Sequence, residues 1–319
     1  MKTPSSDRFG TDLAAASDYV WRNYQEGRGE IKAVETPWKG TDWLIGGGLR
    51  LGEISVVAGP GGNGKTNFAL NLIIRMAAQN RPAIYMPLED KAWEIMRRVS
   101  SILHDDWSLM NECKSEDQAS AIEEAVLAGK HSELFIKIAR DYVMKNPKDA
   151  VVDDTGNVYA PRLKPSELLE WLNGEQARNQ ELVIIDPMSM VNFRADGGKD
   201  YEAQEEFVQD CHAIAEHHGY HLMMLAHIRK RQRYQNKQQD LCIDDIQGSA
   251  AFNRHTRYAL LLDYHHEYRT SDLSTGNTCN HKHTLLLAKA NYGKGTGQKL
   301  AFTYSGNGPQ FVEHGVITG

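Results

Sequence analysis

The stretch Ile54-Ser55-Val56-Val57-Ala58-Gly59-Pro60-Gly61-Gly62-Asn63-Gly64-Lys65-Thr66 decides the reading of this chain. A β-branched run ends in residues spaced as G-x-x-x-x-G-K-T, the pattern of a phosphate-binding P-loop. Gly59, Gly61, Gly62 and Gly64 let the backbone wrap an anion with its N–H groups turned inward, and Asn63 lies within the same wrap. Lys65 is placed to reach the outer phosphates, and the Thr66 hydroxyl suits a magnesium ion. Asn67 to Ile74 then reads as a helix whose N-terminus adds a favourable dipole, which brings Asn67 into the binding set. A glycine turn before an ordinary helix would not need strand, loop, Lys-Thr and helix in this order. The expected ligand is ATP or GTP with magnesium.

Working outward, the chain of 319 residues is long enough for one large α/β domain or two small ones. Hydrophobic residues make up 41% and charged residues 24%, a globular rather than a disordered balance. No apolar run is long enough to cross a bilayer and the N-terminus is polar, which points to a cytoplasmic protein. Cys113, Cys211, Cys242 and Cys279 follow no metal spacing and read as reduced thiols. The Cys279-Asn280-His281-Lys282-His283 cluster reads as the alternating residues of a strand beside a hairpin, ahead of a metal site.

The net charge of −6 gives no global reason to bind nucleic acid. A local reason exists: Arg229, Lys230, Arg231, Arg233 and Lys237 place five cations in nine residues with no acid among them. The plain alternative is a solvated charged loop. Phosphate attraction is local once salt screens the rest, so a basic loop on an acidic body can still hold DNA.

Residues 11–25 read as a short helix, followed by a Gly27-Arg28-Gly29 linker, and the arm 1–35 is expected to pack on the main body or on a neighbouring subunit. Gly46 to Leu49 forms a turn before the P-loop strand. Strands are expected at 83–86, 182–186, 222–227, 258–262, 284–288 and 299–304, and helices at 91–104, 117–145, 165–177 and 201–218, with a turn at 155–157. Helices alternating with apolar strands, then strands clustering at the end, predict an α/β fold. Its sheet is mostly parallel and helix-flanked, with antiparallel strands at one edge.

In such sheets ligands sit at the carboxyl ends of the strands. Lys65 and Thr66 follow the first strand, Glu89 follows the second, Asp186 ends the third and His227 ends the fourth. A carboxylate after four aliphatics is costly unless compensated, and hydrated magnesium would compensate it, so Asp186 is the second metal candidate beside Thr66. A turn or helix-capping aspartate is the alternative. Glu89 suits a base that orients water, with Asp90 its neighbour and competitor. A strand-end histidine alone is more often structural, but in this company His227 can sense a γ-phosphate.

Residues 36 to about 312 resemble the RecA-like P-loop motor of DnaB-type hexameric replicative helicases, including phage helicase-primases and the plasmid RepA type. The resemblance runs through TPWKGTDWL, GGGLRLGEISVVAGPGGNGKT, YMPLED, LVIIDPMSMV, LMMLAHIRK, IDDIQGSAAFNRHTRYALLL and LLLAKANYGKGTGQKLAFTY. The P-loop alone is specific; the order of the segments carries the rest. The resemblance implies a motor over 36–319 and a ring of identical subunits, with hydrolysis at subunit interfaces coupled to single-stranded DNA movement and duplex unwinding in replication. Replication proteins follow as partners, and no membrane. It implies DNA contacts at Arg229, Lys230, Arg231, Arg233, Gln247, Gly248 and Ser249. It also implies that Lys289 and Arg257, or Arg254, act on the neighbour's nucleotide. Many such helicases carry Lys-x-Arg in the last segment; here Asn291 stands in the arginine's place. The motifs show no arginine in cis, and the 292–295 hairpin is expected to project outward with Lys289. The 35 residues ahead of the motor are too few for a primase domain or a DnaB-type N-terminal domain. A recombinase or strand-annealing ATPase, and an ATP-gated loader, are the competing readings.

Overall fold

The computed structural model describes residues 32–90, 92–111, 115–121, 163–193, 200–229 and 240–318, with short pieces at 17–18, 21–22, 24–26, 134–136, 151–152 and 158–159. Contacts divide the chain into Met1–Ala33 and Val34–Gly319. In the first unit the described residues 17–18, 21–22 and 24–25 are helical.

The second unit is built on a nine-stranded sheet. Its strands are β1 (Ile54–Gly59), β2 (Ala83–Pro87), β3 (Leu134–Ile136), β4 (Leu182–Asp186), β5 (His221–His227), β6 (Tyr258–Asp272), β7 (Thr278–Ala290), β8 (Lys299–Tyr304) and β9 (Phe311–Ile317). They lie in the order β9-β8-β7-β6-β1-β5-β4-β2-β3. From β3 to β6 neighbours pair in parallel, and from β6 to β9 antiparallel. The helices are α1 (Lys39–Ile45), α2 (Lys65–Ala78), α3 (Ala92–Leu103), α4 (Pro165–Asn173), α5 (Asp200–His218) and α6 (Ser249–His255).

β1, β2 and β4 are buried at every position, which is why they read as unbroken aliphatic runs. Two apolar layers cover the sheet's faces. One gathers Phe68, Leu72, Ile95 and Val99 from α2 and α3; the other gathers Leu168, Phe207, Val208 and Phe252 from α4, α5 and α6. Register aligns the chemistry: Gly59 lies beside His227, and Pro87 beside Asp186.

Several expectations need correction. Of the helix expected over 117–145, residues 117–121 are helical and the rest, apart from 134–136, lies outside the described residues; 134–136 instead form strand β3, which pairs in parallel with the open side of β2. Its Leu134-Phe135-Ile136 run is short, apolar and β-prone, and an unpaired strand edge outweighs helical periodicity. The helix expected over 165–177 stops at Asn173; Gly174 separates it from a short turn of helix at Glu175–Arg178. β6 and β7 extend well past the expected 258–262 and 284–288, and α1 and β9 carried no clear periodicity. The turn expected at 155–157 lies outside the described residues. Among the described residues no helix is long and apolar enough to cross a membrane.

Candidate functional site

The P-loop leaves β1 and enters α2 through Gly64, whose φ of +85° is a left-handed conformation that suits glycine. A side chain there would also strike the Tyr304 hydroxyl. At Gly59 a Cβ would run into the Leu262 carbonyl of β6, so close approach of two strands fixes this glycine. The Lys65 ammonium is buried and donates to the carbonyl oxygens of Gly59 (3.0 Å) and Pro60 (2.9 Å). Burial lowers its pKa, and the Asp186 and Glu89 carboxylates oppose that shift.

Thr66 and Asp186 are brought together: the threonine hydroxyl donates to Asp186 Oδ2 at 2.6 Å. The Tyr85 hydroxyl donates to the same oxygen at 2.6 Å. Asp186 is 7% exposed. Burial pushes its carboxyl pKa up, and the Thr66 and Tyr85 hydroxyls and the Lys65 ammonium pull it back. Hydroxyl and carboxylate oxygens in this arrangement are the hard donors that magnesium takes, with water completing its octahedron.

The β2 end brings in the next carboxylates. The Leu88 N–H donates to the Asp186 carbonyl oxygen at 2.6 Å, which fixes the Glu89-Asp90 corner beside β4. Glu89 is exposed, and both carboxylates face a cleft of about 800 Å³ that also takes Lys65, Thr66, Asp186 and His227. Nδ1 of His227 lies 3.5 Å from the Lys65 ammonium. Burial first and then the Lys65 charge hold this imidazole below its ordinary pKa, while the Glu89 and Asp186 carboxylates pull the other way. The five residues that the strand-end argument selected therefore share one cleft. Asn63 and Asn67 are buried beside it: Asn63 Nδ2 donates to Asp263 Oδ1 at 3.3 Å, and Asn67 Nδ2 to the Tyr304 hydroxyl at 3.3 Å.

Three features of the cleft escaped the sequence reading. Tyr85 is one; its only signal was a phenol inside an aliphatic strand. Arg98 of α3 is the second. It lines the cleft, so an arginine in cis is present after all. It borders the apolar stripe of Ile95, Val99 and Ile102, and nothing in that pattern distinguishes it from a solvated cation. The third is an aromatic far wall, where Trp107 meets Tyr304 edge-on at 5.1 Å and Tyr264 lies nearby. Trp107 and Tyr264 lie outside every motif segment, and Tyr304 only closes the last one, so nothing local marks them as cleft residues.

Other expected residues lie elsewhere. The Arg257 backbone N–H donates to the Ile54 carbonyl at the amino end of β1, about one strand length, roughly 17 Å, from Gly59. Its guanidinium pairs with Glu53 at 3.1 Å. Lys289 sits at the same end of the sheet and donates to the Asn253 carbonyl at 2.5 Å. Arg254 pairs with Glu205. The 292–295 turn does not project outward: the Gly295 N–H donates to Leu44 O at 2.9 Å, folding the turn onto α1.

Arg229 is exposed, whereas Lys230, Arg231 and Arg233 lie outside the described residues. The segment that carries Gln247, Gly248 and Ser249 is tied back to the end of β5. The Gln247 N–H donates to the His227 carbonyl at 3.0 Å, Ile228 bridges to Ile246, and the Arg229 N–H donates to Asp245 O at 2.8 Å. The Cys279–His283 cluster lies on β7, where His281 and His283 are buried and Asn280 and Lys282 are not. Cys211, Cys242 and Cys279 are free thiols.

Known proteins resemble this chain in sequence and in fold. The AAA domain family matches residues 29–233, a span that includes the P-loop, Glu89, Asp186 and His227. The circadian clock protein KaiC2 of Synechocystis sp. is 25% identical over 191 residues, 54% of this chain and 31% of that protein. The chain thus spans less than a third of that relative's length. Among solved structures, the ATPase domain of G40P superposes with a TM-score of 0.69 at 15% identity, covering 96% of this chain and 99% of that one. A DnaB-like replicative helicase, described with its interactions with primase, superposes with a TM-score of 0.69 at 14% identity, covering 97% and 68%. At such identities the likeness is one of fold, and that fold is the RecA-like P-loop ATPase fold, mostly parallel with antiparallel edge strands. With the family match covering the P-loop and every strand-end group of the cleft, the chain belongs to the AAA domain family.

Proposed function

We propose that this chain is the motor of a ring-forming, cytoplasmic, ATP-dependent DNA helicase that couples hydrolysis at subunit interfaces to translocation on single-stranded DNA and unwinding of duplex during replication. The observation that carries the reading is the double engagement of His227. Its ring lies 3.5 Å from the P-loop lysine, and its carbonyl accepts from Gln247 in the segment assigned to DNA. A change at the phosphates therefore has a short covalent and hydrogen-bonded route to the DNA-facing segment.

In this reading the P-loop amides and Lys65 hold the polyphosphate. Thr66 and Asp186 hold magnesium, which supplies charge neutralisation of the phosphates when bound. Glu89 orients the attacking water, and His227 donates a ring N–H to a γ-phosphate oxygen. Phosphoryl transfer needs positioning and charge stabilisation above all, so these groups suffice for one half of the site. Lys289 and Arg257 stand a strand length away from their own P-loop, which suits action on a neighbour in a ring, a hexamer by the resemblance. Arg229 with the basic residues after it, and Gln247 to Ser249, would track the phosphates of one strand without reading its sequence.

The test is a forked-duplex assay with purified protein. ATP-dependent strand separation, lost in Lys65→Ala, is the expected result. DNA-stimulated hydrolysis with strand exchange and no unwinding would turn the assignment to a recombinase. Hydrolysis indifferent to DNA would turn it to a loader or assembly ATPase.

A further inference from the structure

Two carboxylates stand side by side at the β2 end, and only one of them suits the chemistry. Glu89 and Asp90 both face the cleft that holds Lys65, Thr66 and Asp186. A second unscreened negative charge here would repel an incoming polyphosphate and compete with Asp186 for a cation. Asp90 is close enough to push the Asp186 carboxyl pKa upward.

Arg98 meets that problem from α3. Its Nε lies 3.4 Å from Asp90 Oδ2, and its Nη1 donates to Asn67 Oδ1 at 3.3 Å. Asn67 in turn donates to the Tyr304 hydroxyl at 3.3 Å. The guanidinium thus links Asp90 to the first turn of α2, one residue beyond Thr66, and to the aromatic wall. Both side chains of the ion pair are about 30% exposed, so the pair is partly shielded from water rather than free on the surface.

We propose that Arg98 is a positioning residue that neutralises Asp90 and holds it against α2 and α3, so that Glu89 is the carboxylate presented to the nucleotide. The chemistry is electrostatic and involves no transfer step. Arg98 acts through Asp90, and its value to the site depends on that charge. This rests on the nucleotide reading of the cleft and deepens it.

A double-mutant cycle tests the dependence, with Kd for a fluorescent ATP analogue and kcat for hydrolysis as readouts. Arg98→Ala should raise Kd about fivefold and lower kcat about tenfold or more, whereas in an Asp90→Asn background both effects should shrink below about twofold. Arg98→Lys should recover part of the loss, because an ammonium can still neutralise Asp90. Thermal melts on each variant separate a folding defect from this effect: a purely structural role would lower stability equally in both backgrounds and leave the kinetic coupling at zero. Equal Kd and kcat losses in both backgrounds would overturn the proposal, since Arg98 would then act on the nucleotide directly or through the fold. No loss in either would overturn it too. The base assignment is read separately by Glu89→Gln, and the Kd arm stands even if the parent protein binds ATP without turnover.

Discussion

Asp186 follows four buried aliphatic residues, and burial alone would favour its neutral form. Two hydroxyls and one ammonium oppose that pressure without cancelling it, and a bound cation would add to their side. The neighbouring groups divide the remaining work by position. Lys65 is held by the carbonyls of its own loop, and Glu89 lies at the open side of the cleft. Two substitutions should therefore fail differently. Lys65→Ala should abolish hydrolysis and weaken nucleotide binding, because the phosphate cradle loses its cation. Glu89→Gln should bind nucleotide nearly as before and lose turnover by about two to four orders of magnitude, since only water activation is removed. Equilibrium binding and steady-state hydrolysis on the two proteins check this. Parental turnover in Glu89→Gln would move the base to Asp90.

At the scale of elements, the end of the chain secures the beginning of the motor. Glu313 of β9 accepts from the N–H groups of Gly40 (2.7 Å) and Thr41 (2.8 Å) and from the Thr41 hydroxyl (2.8 Å), at the start of α1. A distant carboxylate thus does the work of a helix cap for a helix with no side-chain cap of its own. Trp38, one residue earlier, stacks on Phe68 with ring centroids 4.3 Å apart and donates from its indole to Phe311 O at 2.9 Å. α1, α2 and β9 therefore meet in one aromatic cluster under the P-loop helix. Glu313→Ala should cost about 1–2 kcal/mol, as loss of a cap and its buried partners does. Trp38→Ala should cost about 3–5 kcal/mol. Urea titrations give both values. An unshifted midpoint for Glu313→Ala would mean that solvent satisfies the first turn of α1 equally well.

At the scale of the molecule, buried histidines set the acid limit of stability. Burial holds His221, His265, His281 and His283 at about 4, below their ordinary 6.5. The unfolded chain takes up protons on them from about pH 6.5 downward, and the native protein only near 4. Across that window the unfolded state binds more protons, so stability is lost as pH falls. Asp42 works in the opposite direction: burial raises its carboxyl to about 6, so its own contribution declines as pH rises from 3.8 toward 6. Asp186, whose carboxyl burial also raises, acts on the same side as Asp42, and the four histidines outnumber the two carboxylates, so the protein weakens on acidification. At fully buried His221, held by Ser55 Oγ and the Arg50 carbonyl, the slope approaches about 1.4 kcal/mol per pH unit. Melting temperatures should fall between pH 7 and 4.5, and His221→Gln should flatten the fall; a melting temperature that rises on acidification would contradict the sign. Assembly makes a second prediction at this scale. Lys289 and Arg257 sit by the amino end of β1, opposite their own P-loop, so inactive Lys289→Ala and inactive Lys65→Ala subunits, mixed into one ring, should regain hydrolysis at interfaces where both partners are intact. No recovery in rings shown to be mixed would place these cations in cis or out of the reaction.

The P-loop, the aliphatic strands β1, β2, β4 and β5 and the polar residue closing each were legible in the sequence, for one physical reason. A strand buried on both faces is written as a continuous apolar run, and a polar group at its end then stands out against it. The parallel sheet, the antiparallel edge and the shared cleft of Lys65, Thr66, Glu89, Asp186 and His227 follow from that pattern. The sequence could not place Arg98, Tyr304 or Trp107 in the cleft, because helix α3 and strand β8 come to the P-loop only through packing. Nor could it set β3 at the sheet edge, where an unpaired neighbour rather than local propensity chose the conformation. The 292–295 turn makes the same point: its glycines read as a projecting hairpin, yet they serve close approach to the Leu44 carbonyl of α1. Local periodicity determined the scaffold and its strand-end chemistry. Contacts between residues far apart in the chain, which leave no periodic trace, decided which cations and aromatic rings surround that chemistry.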